Sequence, residues 1–216
     1  MTSLTRFGVL GDIHTEDLAL EAALEAFASA GLDAILCVGD IVDGRGDADR
    51  TCQLLRDAGV LAVCGNHDRW FVRGTPLGMP DDTRTLDASH RAWLGSLPTS
   101  RRFETPRGGL VLCHGIGDDD MAVLRSSTDE YSLSWLKSLR ALQADPQVVW
   151  MVGGHTHERM LRALDGLTVI NAGTLHRSYR QGFVIVDMQA LELQCFDLVD
   201  GQVRDAGVLA LDGAAQ

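Results

Sequence analysis

Lysine is almost missing from this sequence: Lys137 stands alone beside 18 arginines. Acidic residues outnumber basic ones by 30 to 19, giving a net charge of −11. Such a chain lacks the basic surface that displaces counterions from a phosphate backbone, which excludes non-specific nucleic-acid binding. No run reaches the ~18 apolar residues of a membrane-spanning helix, so no membrane partner is expected. The opening "MTSLTRFGVLGDIH" carries only a short apolar stretch and does not resemble a cleaved secretory signal. Cysteines are few and odd in number (Cys37, Cys52, Cys64, Cys113 and Cys195), without paired spacing. Free thiols in a reducing, cytoplasmic setting are therefore expected, and a disulfide framework is not. Internal repeats, low-complexity tracts and linkers are absent as well. The 216 residues are expected to form one domain over 1–216, with a frayed tail at 212–216.

What is present is an alternation of apolar runs and amphipathic stretches. "FGVLGD", "DAILCVGD" and "VLAVCGNHD" read as strands. "EDLALEAALEAFASAG" and "DADRTCQLLRDAG" read as the helices between them, closed by Gly31 and Gly59. Unalternating apolar strands joined by helices indicate a parallel sheet built from βαβ units. From Trp70 to Thr85 periodicity is lost, and an irregular loop is expected. "ASHRAWLGSLP" follows as a short helix, then "SRRFET" and "GLVLCHG" as strands, and a helix around "SLSWLKSLRALQA". The remainder is β-rich, with Asp165–Gly166 as a hairpin turn and "LELQCFDL" as its final strand. Two sheets packed face to face with helices outside accommodate this order, an α/β (α+β) sandwich.

Polar residues recur where those strands end, which is where open α/β sheets place ligands. Asp12 and His14 follow the first strand, Asp40 the second, and Asn66, His67 and Asp68 the third. His114 follows "GLVLC", and "GGHTH" brings His155 and His157 after "VVWMV". Five of the seven histidines therefore sit just past an apolar strand, within or beside a glycine turn. Two Asp, one Asn and four His suit divalent metals of intermediate hardness. Seven such groups are too many for one tetrahedral ion but suffice for two ions sharing a carboxylate, ~3.5–4 Å apart. A single structural zinc site fits poorly, because those sites are closed tetrahedra dominated by cysteine.

The ordered set "GDIH…GD…GNHD…CHG…GHTH" resembles the calcineurin-like metallophosphoesterases over about residues 7 to 174. The resemblance implies a β-sandwich flanked by helices, acting on phosphomonoesters or phosphodiesters. It implies that Asp12, His14 and His157 hold a first metal, that Asn66, His114 and His155 hold a second, and that Asp40 bridges them. The two divalent ions would be manganese, iron, zinc or a mixture, and a hydroxide between them would attack phosphorus. His67 would assist the leaving group, oriented by Asp43. "NAGT" at Asn171–Thr174 resembles a loop closing the sandwich near the site. One departure is visible: protein phosphatases of this type have arginine directly after that aspartate, whereas here Gly44 intervenes and the arginine is Arg45. That weakens a protein-phosphatase reading and Arg45 as a phosphate clamp. The compact length leaves little room for a cap domain and favours a small-molecule phosphodiester over a phosphomonoester. An inactive protein-binding scaffold of the same fold is the rival, opposed by the presence of all seven ligands and His67.

Other residues admit plainer readings. His90, on its short helix, is expected at the surface without a partner. His176 and Arg177 are divided between a pocket role and a solvated loop. Arg69 is divided between phosphate contact and salt bridge, and Trp70 between stacking on a substrate ring and packing under its loop. Asp118-Asp119-Asp120 is expected to be solvated, and Cys37, Cys64 and Cys113 to be small core residues. Homo-oligomerisation through an exposed sheet edge stays open.

Overall fold

In the computed structural model, residues 3–75 and 86–211 are described. The first sheet has the order β11-β10-β9-β1-β2-β3. Its strands are β1 (Arg6–Leu10), β2 (Ala34–Cys37), β3 (Leu61–Ala62), β9 (Gly182–Asp187), β10 (Glu192–Val199) and β11 (Gln202–Ala210). The second has the order β4-β5-β6-β8-β7, from β4 (Ser100–Thr105), β5 (Gly108–Cys113), β6 (Val148–Gly153), β7 (Met160–Leu164) and β8 (Leu167–Asn171). Parallel pairing joins β1 to β2 and β2 to β3, and in the other sheet β5 to β6 and β6 to β8. Antiparallel strands finish both sheets.

Strand periodicity divides the apolar residues between layers. Phe7 and Val9 of β1, Leu36 of β2 and Leu110 and Leu112 of β5 fill one core with Val152 and Ile170, between the sheets. Their neighbours turn outward: Leu10 and Cys37 meet α1 (Asp17–Ala28) and α2 (Ala48–Asp57). Val111 and Cys113 meet α5 (Glu130–Trp135) and α6 (Lys137–Gln143) in a third cluster. Both faces of the central strands are covered, which is why they read as continuous apolar runs.

Several expectations need correction. β3 is only two residues long, and Asn66–Arg73 is a helix, α3, ended by Gly74 at φ 71°. The loop expected from Trp70 thus begins four residues later, and its residues 76–85 lie outside the described ones, as does the tail at 212–216. The helix around "SLSWLKSLRALQA" is two helices, parted at Leu136, whose ψ of 95° is extended. A further strand, β11, was not expected. It is exposed along nearly all its length, so it carries no buried-face pattern to read. His90, on α4 (Ala88–Ser96), is not a free surface residue. Its Nδ1 lies 2.7 Å from Asp49 Oδ1 and its Nε2 3.3 Å from Gln53 Oε1, both on α2. Among the described residues, no helix is long and apolar enough to cross a membrane.

Phe27 ties the outer layer to the first sheet. Its ring meets Phe183 of β9 edge to face at 4.8 Å, and Phe183 stacks on Phe196 of β10 at 5.0 Å. Phe27→Ala should open a cavity there and cost about 3–5 kcal/mol, read as a lowered denaturation midpoint at an unchanged slope in urea.

Candidate metal centre

Because β1, β2, β3, β5, β6 and β8 run the same way within their sheets, their C-terminal ends deliver loops to one edge of the sandwich. Asp12 and Asp40 interlock first: Asp12 N–H donates to Gly39 O at 2.9 Å, and the amides of Ile13 and His14 both donate to Asp40 O. The second sheet ties its own β5 and β6 ends through Gly154 N–H to His114 O at 2.7 Å, and joins the first through His155 N–H to the Asp12 carboxylate at 3.1 Å. Gly154 is needed for that approach. A Cβ there would stand 2.6 Å from Asp12 Oδ2 and 2.4 Å from Val38 Cγ2.

Asp12, His14, Asp40 and His157 place one ligand atom each within 4.8 Å of one another, and so do Asp40, His114 and His155. Asp40 belongs to both groups. Its Oδ1 accepts from His67 N–H at 2.9 Å, while Oδ2 lies 3.3 Å from His114 Nε2 and 3.7 Å from His14 Nε2. Asn66 stands in the second group's neighbourhood, its Oδ1 2.9 Å from His114 Nε2. All seven residues singled out as ligands are thus brought together.

The donor set fits cations. Carbonyl oxygens of Asp43 and Val38 accept from Nδ1–H of His14 at 3.0 Å and of His114 at 2.8 Å. That leaves the Nε2 atoms turned inward, His14 Nε2 only 3.3 Å from His157 Nε2. A carbonyl on the outer ring nitrogen is the usual way of aiming an imidazole at a metal. His157 Nδ1 is buried and has no hydrogen-bond partner among the described residues. Burial alone raises Asp40, but His114, His14 and His67 more than offset this and hold it well below the usual carboxylate range. Burial would lower His114, yet Asp40, with Asp12 and Val38 O, lifts it to about 10. A field that holds a proton on a fully buried imidazole attracts a metal cation equally well. His14 and His155 are lowered by burial, which keeps their lone pairs available.

The backbone is strained at these same positions. Asp12, His14, Asp40, Asp43, His155 and His157 all have φ between 47° and 74°. Left-handed backbone at non-glycine residues is uncommon and costs of order 1–3 kcal/mol each.

Beside the two groups, His67 Nδ1 lies 2.5 Å from Asp43 Oδ2, the orientation expected of that pair. Burial lowers His67, but Asp43 and Asp40 outweigh it and raise the imidazole. Trp70, half-buried, sets its ring 4.9 Å from that of His67. Arg69 is committed to Asp120, with contacts of 2.5 and 3.0 Å. The acidic triplet is therefore not simply solvated: Asp118 accepts from Thr99 and Ser100, and Asp119 from the Met121 amide. Arg45 is exposed and makes no ion pair among the described residues. Gly44 explains its displacement, since a Cβ there would fall 1.7 Å from His14 O, leaving no room for a side chain directly after Asp43. Cys37 and Cys113 are buried, Cys64 half-buried, and burial pushes the Cys64 and Cys113 thiols up to about 12. Burial disfavours their thiolates, and none of them belongs to a candidate ligand group among the described residues.

The family model of the calcineurin-like phosphoesterase superfamily domain matches residues 6–191. The chain belongs to this superfamily. The family typically binds divalent metals, and among the described residues this member carries two candidate ligand groups. A metallophosphoesterase from Sphaerobacter thermophilus shares the fold at TM-score 0.65 and 22% identity, over 91% of this chain and 89% of that one. Vps29 from Entamoeba histolytica complexed with Zn2+ does so at 0.59 and 17%, over 95% and 99%. The protein MJ0912 of Methanocaldococcus jannaschii is 40% identical over 60 residues, which is 28% of this chain and only 25% of that relative's length.

Sequence reasoning gave Asp68 no role. Its buried carboxylate accepts from Ile41 N at 2.9 Å, Val42 N at 3.1 Å and Gly65 N at 3.0 Å, clasping the Asp40 loop to the start of α3. Burial and then repulsion from Asp40 raise it to about 6. Its place three residues after Gly65 is the capping-box spacing that would have found it. Asp68→Ala strands three amides and should cost about 3–5 kcal/mol, measured by chemical denaturation.

Proposed function

We propose that the protein is a dinuclear phosphohydrolase, held together by Asp40 as the ligand common to both ions. The observation that supports this most is that one carboxylate oxygen, Asp40 Oδ2, is approached by imidazoles of both groups. Asp12, His14, Asp40 and His157 would hold one ion, and Asp40, Asn66, His114 and His155 the other. Manganese, iron or zinc suits this mixed nitrogen and oxygen set. Bound there, such a pair supplies Lewis acidity toward water and the phosphoryl oxygens.

The remaining roles belong to the chain itself. His67, protonated and oriented by Asp43, donates to the departing oxygen. The half-buried Trp70 ring beside it offers an apolar face to that leaving group. Charge argues for a phosphodiester. Of the guanidiniums near the site, Arg69 is neutralised by Asp120 and Arg177 by Glu16, with contacts of 2.6 and 2.8 Å in the latter pair. Apart from the ions themselves, that leaves only Arg45, exposed and without an ion pair among the described residues, for the second negative charge of a monoester, a charge that a monoanionic diester lacks.

With manganese-loaded protein, hydrolysis of bis(4-nitrophenyl) phosphate should exceed that of 4-nitrophenyl phosphate in kcat/KM. The reverse order would overturn the diester preference, and no turnover of either would favour the inactive scaffold. Asp40→Asn should lower metal content from two ions toward one or none and abolish most turnover. Full occupancy by elemental analysis would refute its bridging role. His67→Ala should keep both metals and lose ~100-fold or more in kcat, with a smaller loss as the leaving group becomes more acidic.

A further inference from the structure

The turn after β8 is wired into the site in a way the hydrolytic reading does not use. Thr174 Oγ1 donates to Asp12 O at 2.6 Å and accepts from His176 N–H at 2.9 Å. Leu175 N–H points to the carbonyls of Gly11 and Asp12 at 3.3 Å, and Tyr179 N–H donates to His176 O at 3.0 Å. Glu16, only 7% exposed, accepts from Arg177 Nε and Nη2 along one guanidinium edge and from its backbone amide. This tether fixes two rings over the first ligand group. His176 meets His14 edge to face at 5.0 Å and lies 5.9 Å from His157. Tyr179 meets His157 edge to face at 4.5 Å while 54% exposed.

Two details bear on what these rings could do. Ser178 N–H donates to His176 Nδ1 at 3.1 Å, so the imidazole proton sits on Nε2 as a neutral donor. Second, Trp70, His67, His14, His176 and Tyr179 form an unbroken file, with successive centroids 4.9, 4.9, 5.0 and 5.5 Å apart. Trp70 ends that file beside the proton donor His67. Tyr179 ends it on the other side of His14. A phosphodiester has two substituents, and the leaving one goes to His67.

We propose that the Thr174–Tyr179 turn is the wall that selects the retained substituent of the substrate. Tyr179 packs its ring against a planar aromatic group, aryl or nucleobase, and His176 Nε2–H donates to a phosphoryl oxygen. The inference rests on the phosphohydrolase reading for its substrate class, and its geometry stands apart from turnover. Aromatic packing of this kind changes affinity by roughly three- to tenfold.

The test titrates manganese-loaded full-length protein with phenylphosphonate and methylphosphonate by calorimetry, with melting temperature and metal content measured for each variant. Wild type should bind the phenyl compound about three- to tenfold more tightly. Tyr179→Ala should bring that ratio close to one, and Tyr179→Phe should restore it. His176→Ala should weaken both compounds alike. In parallel, bis(4-nitrophenyl) phosphate and methyl 4-nitrophenyl phosphate share a leaving group, so the KM of the methyl ester divided by that of the bis ester reads the retained substituent and should fall toward one in Tyr179→Ala. A wild type without phenyl preference, or a ratio unmoved by Tyr179→Ala, overturns the wall. A loss in His176→Ala confined to phenylphosphonate overturns the donor role. Phenyl preference with no hydrolysis of either ester refutes the phosphohydrolase reading and leaves the wall standing.

Discussion

Two carboxylates withdrawn from water set the terms for this molecule. Asp12 and Asp40 are essentially without solvent contact at the junction of the two sheets. Isolated anions in such a place are prohibitively unstable, so the surroundings must supply opposite charge and donors. Backbone amides meet part of the demand, from His155 toward Asp12 and from His67 toward Asp40. Histidines meet more of it, which is why His114 holds its proton so strongly. Those imidazoles leave the carboxylate-facing volume crowded with lone pairs that face one another, as at His14 and His157. Such an arrangement is stable only with positive charge inside it, whether from protons or from metal ions.

The backbone bears the second cost. Left-handed φ at six of the site's Asp and His residues cannot be favoured locally, since none of them is glycine. Bonds from elsewhere hold them: the doubled acceptance by Asp40 O fixes the Asp12–His14 turn, and Asp68 fixes the loop after Asp40 from below. Strain of this kind persists where the surroundings over-determine a conformation, and it clusters where side chains must converge. Here it turns a short loop sharply enough for His155 and His157 to face different ligand groups with one residue between them.

Much of this was readable beforehand, for a physical reason. Strands buried on both faces advertise themselves as apolar runs, and a chemically rich residue just past such a run has few structural purposes. The convergence of the seven candidate ligands and the His67–Asp43 contact followed from that pattern and from the family resemblance. What escaped depended on partners distant in sequence. His90 is buried because Asp49, 41 positions away, reaches its Nδ1, and nothing on its own helix announces this. The acidic triplet looked solvated because its partners, Thr99, Ser100 and Arg69, come from other elements. β11 escaped for the opposite reason: an exposed edge strand needs no apolar alternation, only a neighbour's backbone. Tyr179 carries no local signal at all, and its proximity to His157 exists only once β8 has paired beside β6.

Neither ligand group belongs to one sheet. Asp12, His14, Asp40 and Asn66 come from the first, while His114, His155 and His157 come from the second, and each group draws on both. The separation between Asp40 Oδ2 and His114 Nε2 is therefore set by what lies between the sheets. Leu36 and Val38 from one side and Leu110, Leu112 and Val152 from the other occupy that space without solvent access. Interiors packed at crystalline density do not yield smoothly to a changed volume. The inter-sheet core thus acts as a spacer as well as a source of stability. The hydrogen bond from His155 to Asp12 ties the strand ends of the two sheets together directly above that layer, so a changed core volume there should register at the carboxylates. Ligand geometry and core packing are in this fold a single constraint.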